Sequence, residues 1–167
     1  KIEPMTSQRL ERCFPLEPHV EGSFRDGYQR TRSYKTMTTR GCPHHCTFCA
    51  EKTLADMYRS TNQKYLRMRS IPHVMAELEW AVKEMPFIES IFLFDDTFLV
   101  RPVEEIQELS KVYREKINLP LHIQVSPSTL SREKMDALVD AKLAFVEMGI
   151  QTTSENGKKL YKRTVST

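Results

Sequence analysis

Predicted strands and helices alternate along most of this 167-residue chain. The apolar run 88–94 is typical of a strand buried on both faces, and apolar residues at helical spacing follow Ser70 and again follow Pro102. The predicted strands are 33–39, 88–94, 121–125 and 144–150, and the predicted helices are 70–86, 102–117, one from Ser131 and one within 155–163. This alternation predicts an α/β fold with a parallel sheet of right-handed βα repeats. Four strands cannot close an eight-stranded barrel, which takes ~250 residues.

Three cysteines, Cys42, Cys46 and Cys49, lie within one short loop after the first predicted strand, in the pattern C-x3-C-x2-C. Three thiolates on one loop can converge on a single inorganic centre. Cysteine thiolates are the usual ligands of a [4Fe–4S] cluster, which has four irons. A loop that supplies three thiolates would therefore leave one iron open to a small molecule.

Other centres are compatible with the same cysteines. A zinc ion needs a fourth ligand, which Cys13, His44 or His45 would supply, although structural zinc ligands usually come as two separated pairs. A disulfide would leave one of the three thiols over. A simple electron carrier would want four cysteine ligands. A non-catalytic iron–sulfur or zinc-binding module therefore stays an alternative. The side chains of His44 and His45 are expected to face solvent.

The loop Cys42-x3-Cys46-x-Phe48-Cys49 resembles the signature of the radical S-adenosylmethionine (SAM) superfamily. The flanking stretch 38–43 and the Phe-Asp-Asp-Thr-Phe stretch 94–98 most resemble its cobalamin-associated branch. The resemblance covers the chain from Ser33 onward. It implies the first part of a partial (β/α)6 TIM-like barrel, with 33–167 as the N-terminal portion of the catalytic domain. It also implies that the open iron chelates SAM, which the reduced cluster cleaves to methionine and a 5′-deoxyadenosyl radical.

The resemblance also implies roles for residues outside the cysteine triplet. The cofactor-binding residues implied are Phe48, Asp95, Asp96, Gln151, Ser154 and Arg163. The two aspartates follow the second strand, where the family contacts the SAM amino group, commonly through Gly-Gly-Glu. The stretch 149–154 matches the region that reaches the ribose and carboxylate, although Gln151 stands where the family often has Glu. The guanidinium of Arg163 suits a carboxylate through its bidentate fork.

Residues 1–32 contain proline and glycine without a sustained period, which predicts a lead-in or interdomain segment. The chain starts at Lys1, so we expect an excerpt of a longer protein, in which a cobalamin-binding domain would precede this residue. The resemblance implies radical chemistry that includes cobalamin-dependent methylation or ring rearrangement. A methylthiotransferase-type radical SAM enzyme without cobalamin is the alternative. Neither reaction type predicts which substrate, small or macromolecular, is used.

Composition adds weaker expectations. The hydrophobic and charged contents, 40% and 28%, are typical of a soluble globular protein, and the net charge of +3 does not indicate a nucleic-acid partner. No apolar run approaches the ~20 residues that span a bilayer. Oxygen-labile thiolates favour a reducing, cytoplasmic location. The resemblance implies an external electron donor such as a flavodoxin or a ferredoxin.

Overall fold

The computed structural model describes residues 32–163. The predicted lead-in segment and Cys13 lie outside the described residues, apart from Arg32. The strands are β1 (Ser33–Thr36), β2 (Thr39–Arg40), β3 (Arg67–Met68), β4 (Ser90–Leu93), β5 (Leu121–Val125) and β6 (Leu143–Met148). The helices are α1 (Ala50–Ser60), α2 (Ile71–Glu84), α3 (Val103–Lys116), α4 (Arg132–Asp140) and α5 (Glu155–Tyr161). Two short 3-10 turns, Phe98–Val100 and Pro127–Thr129, follow β4 and β5.

The main sheet has four strands in the order β1-β4-β5-β6, and all three neighbouring pairs are parallel. β1 pairs with β4 from Ser33 opposite Ser90 to Thr36 opposite Leu93. This arrangement confirms the predicted α/β class and parallel sheet. Because parallel strands end at the same edge, the loops after β1, β4, β5 and β6 are brought together.

The hydrophobic core lies between this sheet and α2, α3 and α4. β4 is buried along its whole length, as its continuous apolar sequence predicts. Leu78 of α2, Leu109 of α3 and Leu138 of α4 are fully buried and belong to one cluster with the strand residues. Each helix thus buries one apolar stripe and leaves its polar face outside. The core fixes the positions from which the strand ends project.

The first predicted strand is shorter than expected. The ladder with β4 ends where the Phe94 N–H donates to the Thr36 carbonyl at 2.8 Å. Beyond it the chain leaves the sheet, because the carbonyl of Thr38 accepts from the backbone of Arg69 at 2.9 Å and from the side chain of Arg101 at 2.7 Å. β2 then forms a separate antiparallel pair with β3. In residues 32–163, no helix is both long and apolar enough to cross a membrane.

Candidate functional site at the carboxyl ends of the strands

The three cysteines of the triplet lie in the loop between β2 and α1. All three are free thiols, with Cys46 buried and Cys42 and Cys49 half-buried. Cys49 stands at the N-cap of α1, so the helix begins directly after the triplet. The three thiols line one cavity of about 450 Å³ at the carboxyl ends of the main-sheet strands. The structure thus brings together the residues that the spacing singled out.

Contacts at its start and in its middle hold the cysteine loop. Gly41 has φ +89°, and a Cβ placed on it would lie 3.0 Å from the Tyr65 carbonyl oxygen and 3.1 Å from the Tyr65 ring, so the position needs glycine. In the middle of the loop, the Thr47 N–H donates to the Tyr161 carbonyl at 3.1 Å, and its hydroxyl donates to the Leu160 carbonyl at 3.0 Å. The loop is therefore anchored to the end of α5, more than a hundred positions along the chain.

Cys42 has a polar neighbour from the loop after β4. Its sulfur lies 3.3 Å from the hydroxyl oxygen of Thr97, within hydrogen-bond distance. Burial raises the pKa of the Cys42 thiol, whereas the Thr97 hydroxyl and a backbone hydrogen bond at His44 oppose the rise. The thiol is thus held in its neutral form at neutral pH, and binding of a metal would release its proton.

The structure separates the roles of the two neighbouring aspartates. Asp95 has no exposed surface and does not line the cavity. Its carboxylate accepts from the Thr39 N–H and, at 3.2 Å, from the Thr38 hydroxyl, so it joins the loop after β4 to the start of β2. Burial raises the pKa of Asp95 to about 6, although these hydrogen bonds and the Arg101 guanidinium oppose the rise. Of the pair, Asp96 alone lines the cavity.

Asp96 lies beside a second carboxylate that the sequence did not single out, Glu51 of α1. Both line the cavity. Partial burial raises the pKa of Asp96, and the adjacent Glu51 carboxylate raises it further, whereas the Gly41 N–H opposes the rise. The Tyr65 hydroxyl donates to Glu51 from the far side. Two acids at one wall make this side of the cavity suited to a cationic group.

Another part of the cavity wall is formed by the ends of β5 and β6. The amide of Gln124 donates to the Glu147 carboxylate at 2.6 Å, and both residues line the cavity. The predicted residue Arg163 reaches the same wall, where its guanidinium donates to the Gly149 carbonyl at 2.5 Å and to the Ser126 hydroxyl at 3.4 Å. It also lies 3.9 Å from the Cys46 sulfur. The Arg163 guanidinium puts a positive charge beside the thiols, and the Glu147 carboxylate lies elsewhere on the same wall.

The remaining predicted residues have different placements. Gln151 lines the cavity in a left-handed conformation, with φ 54°. Phe48 is 51% exposed at the cavity rim and packs edge-on against Tyr161, with ring centroids 5.1 Å apart. Ser154 does not line the cavity. Its hydroxyl caps α5 by accepting from the Gly157 N–H at 3.0 Å.

The expectation that both histidines face solvent is wrong for His44. His45 is exposed, but His44 is half-buried and lines the cavity. Its Nε2 lies 3.3 Å from the Ser128 hydroxyl after β5, and burial lowers the pKa of the imidazole. The Ser128 hydroxyl, which follows a strand distant in sequence, holds this ring inward. The sequence of the cysteine loop does not reveal such a partner.

Among the polar residues of the cavity, Glu51 and Glu147 had no predicted role, and Thr97 was noted only within the stretch 94–98. Glu51 lies in the segment 51–69, which had no predicted element, so nothing indicated its direction. The position of Glu147 near a strand end was predictable, because it is the second-last residue of β6. It pairs with Gln124 in the sheet register. Residues in register on parallel strands point to the same face.

The donor set fits an iron–sulfur cluster. Three free thiols share one cavity, and a guanidinium lies beside one of them. Among residues 32–163 there is no group of three or more His, Cys, Asp or Glu side chains that would hold a single metal ion. A [4Fe–4S] cluster instead presents a separate iron to each thiolate. The residues that would hold it are Cys42, Cys46 and Cys49.

Comparisons with known proteins agree with this site. The family model described as the Radical SAM superfamily matches residues 36–167. A protein named "Uncharacterized methyltransferase sll1242", from Synechocystis sp. (strain ATCC 27184 / PCC 6803 / Kazusa), is 26% identical over 136 residues, which make up 78% of this chain and 24% of that protein.

Two solved structures of the radical SAM methyltransferase TsrM from Kitasatospora setae share the fold. The structure with cobalamin and a [4Fe–4S] cluster bound has a TM-score of 0.57 at 20% identity and covers 76% of this chain and 24% of that one. The structure with tryptophan substrate and the SAM analogue aza-SAM has a TM-score of 0.56 at 19% identity, with coverages of 80% and 26%. This chain therefore spans about a quarter of the relatives it matches. Its fold is the first part of a TIM-like partial barrel.

Proposed function

Since the chain belongs to the radical SAM superfamily, we propose that it forms part of an enzyme that cleaves SAM reductively at a [4Fe–4S] cluster held by Cys42, Cys46 and Cys49. The observation that carries the proposal is the convergence of three free thiols on one cavity at the carboxyl edge of a parallel sheet. When bound, the cluster supplies the electron that breaks a carbon–sulfur bond of SAM and so starts radical chemistry.

The charges around the cavity support the binding of a zwitterionic ligand. Asp96 and Glu51 provide two carboxylates for an ammonium group, and Arg163 provides a positive group for a carboxylate. Arg163 is already held by the Gly149 carbonyl and the Ser126 hydroxyl, so its guanidinium needs little ordering when a ligand binds. The amide of Gln151 is suited to ribose hydroxyls. Asp95, by contrast, acts through the backbone that it holds.

We propose methylation as the reaction class, with cobalamin as a further cofactor of the whole protein. The support is that the curated relative is named a methyltransferase and that a matched solved structure contains cobalamin. A methylthiotransferase reaction without cobalamin is the alternative. Incubating the natural full-length protein with methyl-labelled SAM and hydroxocobalamin separates the two, because only methylation moves the label through a cobalamin-dependent step. The substrate is not assigned.

The cluster proposal is tested by anaerobic reconstitution with iron and sulfide. We expect the protein to gain close to four irons and four sulfides per chain, together with the broad visible absorption of an iron–sulfur cluster. Cys42→Ala, Cys46→Ala and Cys49→Ala should each lose most of this iron. Cys13→Ala, a cysteine outside the triplet, is the matched control and should keep it. Full iron content in the triplet variants, or stoichiometric zinc in place of iron, would overturn the proposal.

A further inference from the structure

A hydroxyl group lies directly beside one of the three thiols. The Thr97 hydroxyl oxygen is 3.3 Å from the Cys42 sulfur, and both residues line the cavity. The contact joins two loops, because Cys42 precedes α1 and Thr97 follows β4, 55 positions later. It is shorter than the contact between the Arg163 guanidinium and the Cys46 sulfur, which is 3.9 Å long. Thr97 is therefore well placed to act on a sulfur ligand.

The protein holds Thr97 firmly in this position. The residue is 2% exposed, and the next two residues, Phe98 and Leu99, are fully buried. Thr97 also begins a 3-10 turn, in which the Val100 N–H donates to the Thr97 carbonyl at 3.3 Å. A side chain that packing has already ordered loses little further entropy when it forms a hydrogen bond. The hydroxyl is thus in place before any cofactor binds.

The chain that enters Cys42 is held by the same part of the fold. Asp95, two residues before Thr97, accepts from the Thr39 N–H. Arg101, which follows the 3-10 turn, donates to the Thr38 carbonyl at 2.7 Å. Both contacts tie the loop after β4 to the backbone just before the cysteine loop. The distance between the Thr97 hydroxyl and the Cys42 sulfur is therefore set by buried contacts.

The Thr97 hydroxyl has one proton and two neighbouring acceptors. In the metal-free protein it donates to the Asp96 carbonyl at 2.6 Å. A neutral thiol is only a weak acceptor, so it does not compete for this proton. Ligation of a metal removes the Cys42 proton and leaves an anionic sulfur. Because hydrogen bonds to charged acceptors are about twice as strong as neutral ones, the sulfur then competes with the carbonyl for the hydroxyl proton.

We propose that Thr97 donates a hydrogen bond to the Cys42 thiolate of the cluster-bound protein and thereby raises the reduction potential of the cluster. This inference rests on the proposed function, because it concerns the cluster that the triplet holds there. Hydrogen bonds to the sulfurs are one of the means by which a protein sets the potential of an iron–sulfur cluster. Reduction adds negative charge, so the hydrogen bond is stronger in the reduced state and favours it. Thr97 is a positioning residue, because it acts only through Cys42.

The test is a potentiometric titration of the reconstituted natural protein without SAM, followed by the electron paramagnetic resonance signal of the reduced cluster. Thr97→Val and Thr97→Ala both remove the hydroxyl, and Thr97→Val keeps the shape of the side chain. At one fixed solution potential, we expect both variants to have a ratio of reduced to oxidised cluster about tenfold lower than that of the unaltered protein. For a one-electron couple this is a shift of about 59 mV. Thr97→Ser keeps the hydroxyl and should restore the unaltered ratio.

Controls distinguish the hydrogen bond from a general effect on structure. Thr61→Val removes a hydroxyl that donates to the Tyr58 carbonyl at the exposed end of α1, and it should leave the ratio unchanged. Iron and sulfide contents show whether each variant holds a complete cluster. Exchange into D2O probes the hydrogen bond directly. We expect the iron–sulfur stretching bands of the resonance Raman spectrum to shift less in Thr97→Val than in the unaltered protein and in Thr97→Ser.

The outcomes separate this inference from the proposed function. Failure of the unaltered protein to bind iron and sulfide would overturn the proposed function, and this inference would fall with it. Complete clusters with the same reduced ratio in Thr97→Val, Thr97→Ala and the unaltered protein would overturn this inference alone. An equally lowered ratio in Thr97→Ser would also overturn it, because the hydroxyl would then not be the cause.

Discussion

At the scale of one residue, the Asp95 carboxylate lies next to the site and holds the backbone of the cysteine loop's approach in place. It is fully buried, accepts from the Thr39 N–H, and lies in a network in which Arg101 donates to the carbonyls of Thr38 and Arg69. These contacts fix the chain two to three positions before Gly41, immediately ahead of Cys42. A displaced carboxylate here would move the start of the cysteine loop. Asp95 is therefore a positioning residue, and its neighbour Asp96 is the aspartate available to a ligand.

The buried carboxyl of Asp95 predicts a pH-dependent stability. Its pKa in the folded protein is about 6, above its ordinary value of 3.8. The folded state therefore holds this proton more tightly than the unfolded state does. The resulting free energy of unfolding is fully present below the ordinary pKa and is lost as the pH rises through 6. The loss is about 3 kcal/mol. Asp95→Asn removes this titration and resembles the protonated acid. We expect metal-free Asp95→Asn to match the unaltered protein at pH 4 and to exceed its free energy of unfolding by up to about 3 kcal/mol at pH 7.

Urea denaturation at the two pH values measures this difference. Asp136→Asn, at an exposed position on α4, shows any general effect of removing a carboxylate. A difference between Asp95→Asn and the unaltered protein that is the same at pH 4 and pH 7 would contradict the assignment of the titration to Asp95.

At the scale of elements, apolar spacing was enough to locate a helix wherever that helix buries a continuous apolar stripe. The helix predicted at 70–86 is α2, Ile71–Glu84, and the helix predicted at 102–117 is α3, Val103–Lys116. α1 was missed although Ala50, Leu54 and Tyr58 recur at helical spacing, because the segment is mostly polar and only Ala55 of its eleven residues is buried. The β2–β3 pair was missed because each strand has two residues. Arg101, distant in sequence, donates to the carbonyls of Thr38 and Arg69 beside the β2–β3 pair, and the Tyr65 hydroxyl donates to Glu51 of α1.

Helix α4 provides a test of which face of an element carries stability. Leu138 is fully buried, whereas the next residue, Val139, is 64% exposed. We expect Leu138→Ala to lower the free energy of unfolding by about 2–5 kcal/mol, through lost transfer energy and the cavity that it leaves. Val139→Ala, on the same helix, should change it by less than about 0.5 kcal/mol. Urea denaturation monitored by circular dichroism measures both. Similar losses in the two variants would contradict the packing of α4 on the sheet.

At the scale of the whole molecule, the cavity is assembled from segments that are far apart in sequence. The cysteine loop, the loop after β4, the ends of β5 and β6 and the residue after α5 each supply part of its wall. The predicted parallel sheet accounts for the strand ends, because parallel topology alone brings them to one edge. Sequence reasoning could not predict that Arg163 reaches Cys46, or that Thr47 bonds to the end of α5, because these contacts depend on how α5 packs against the loop.

These long-range contacts predict that cluster binding stabilises a segment that does not bind iron. A ligand that binds only the folded loop lowers the population of its open forms, and the effect extends to whatever the loop holds. Thr47 bonds to the carbonyls of Leu160 and Tyr161, so the end of α5 is joined to the cysteine loop. We expect anaerobic reconstitution to slow amide hydrogen exchange in 41–49 and also in 158–163, with little change in β4, which is already buried. Mass spectrometry of peptides from metal-free and reconstituted protein measures this, and Cys49→Ala treated in the same way is the control. Slower exchange confined to 41–49 would mean that the contact between the loop and α5 does not couple the two segments.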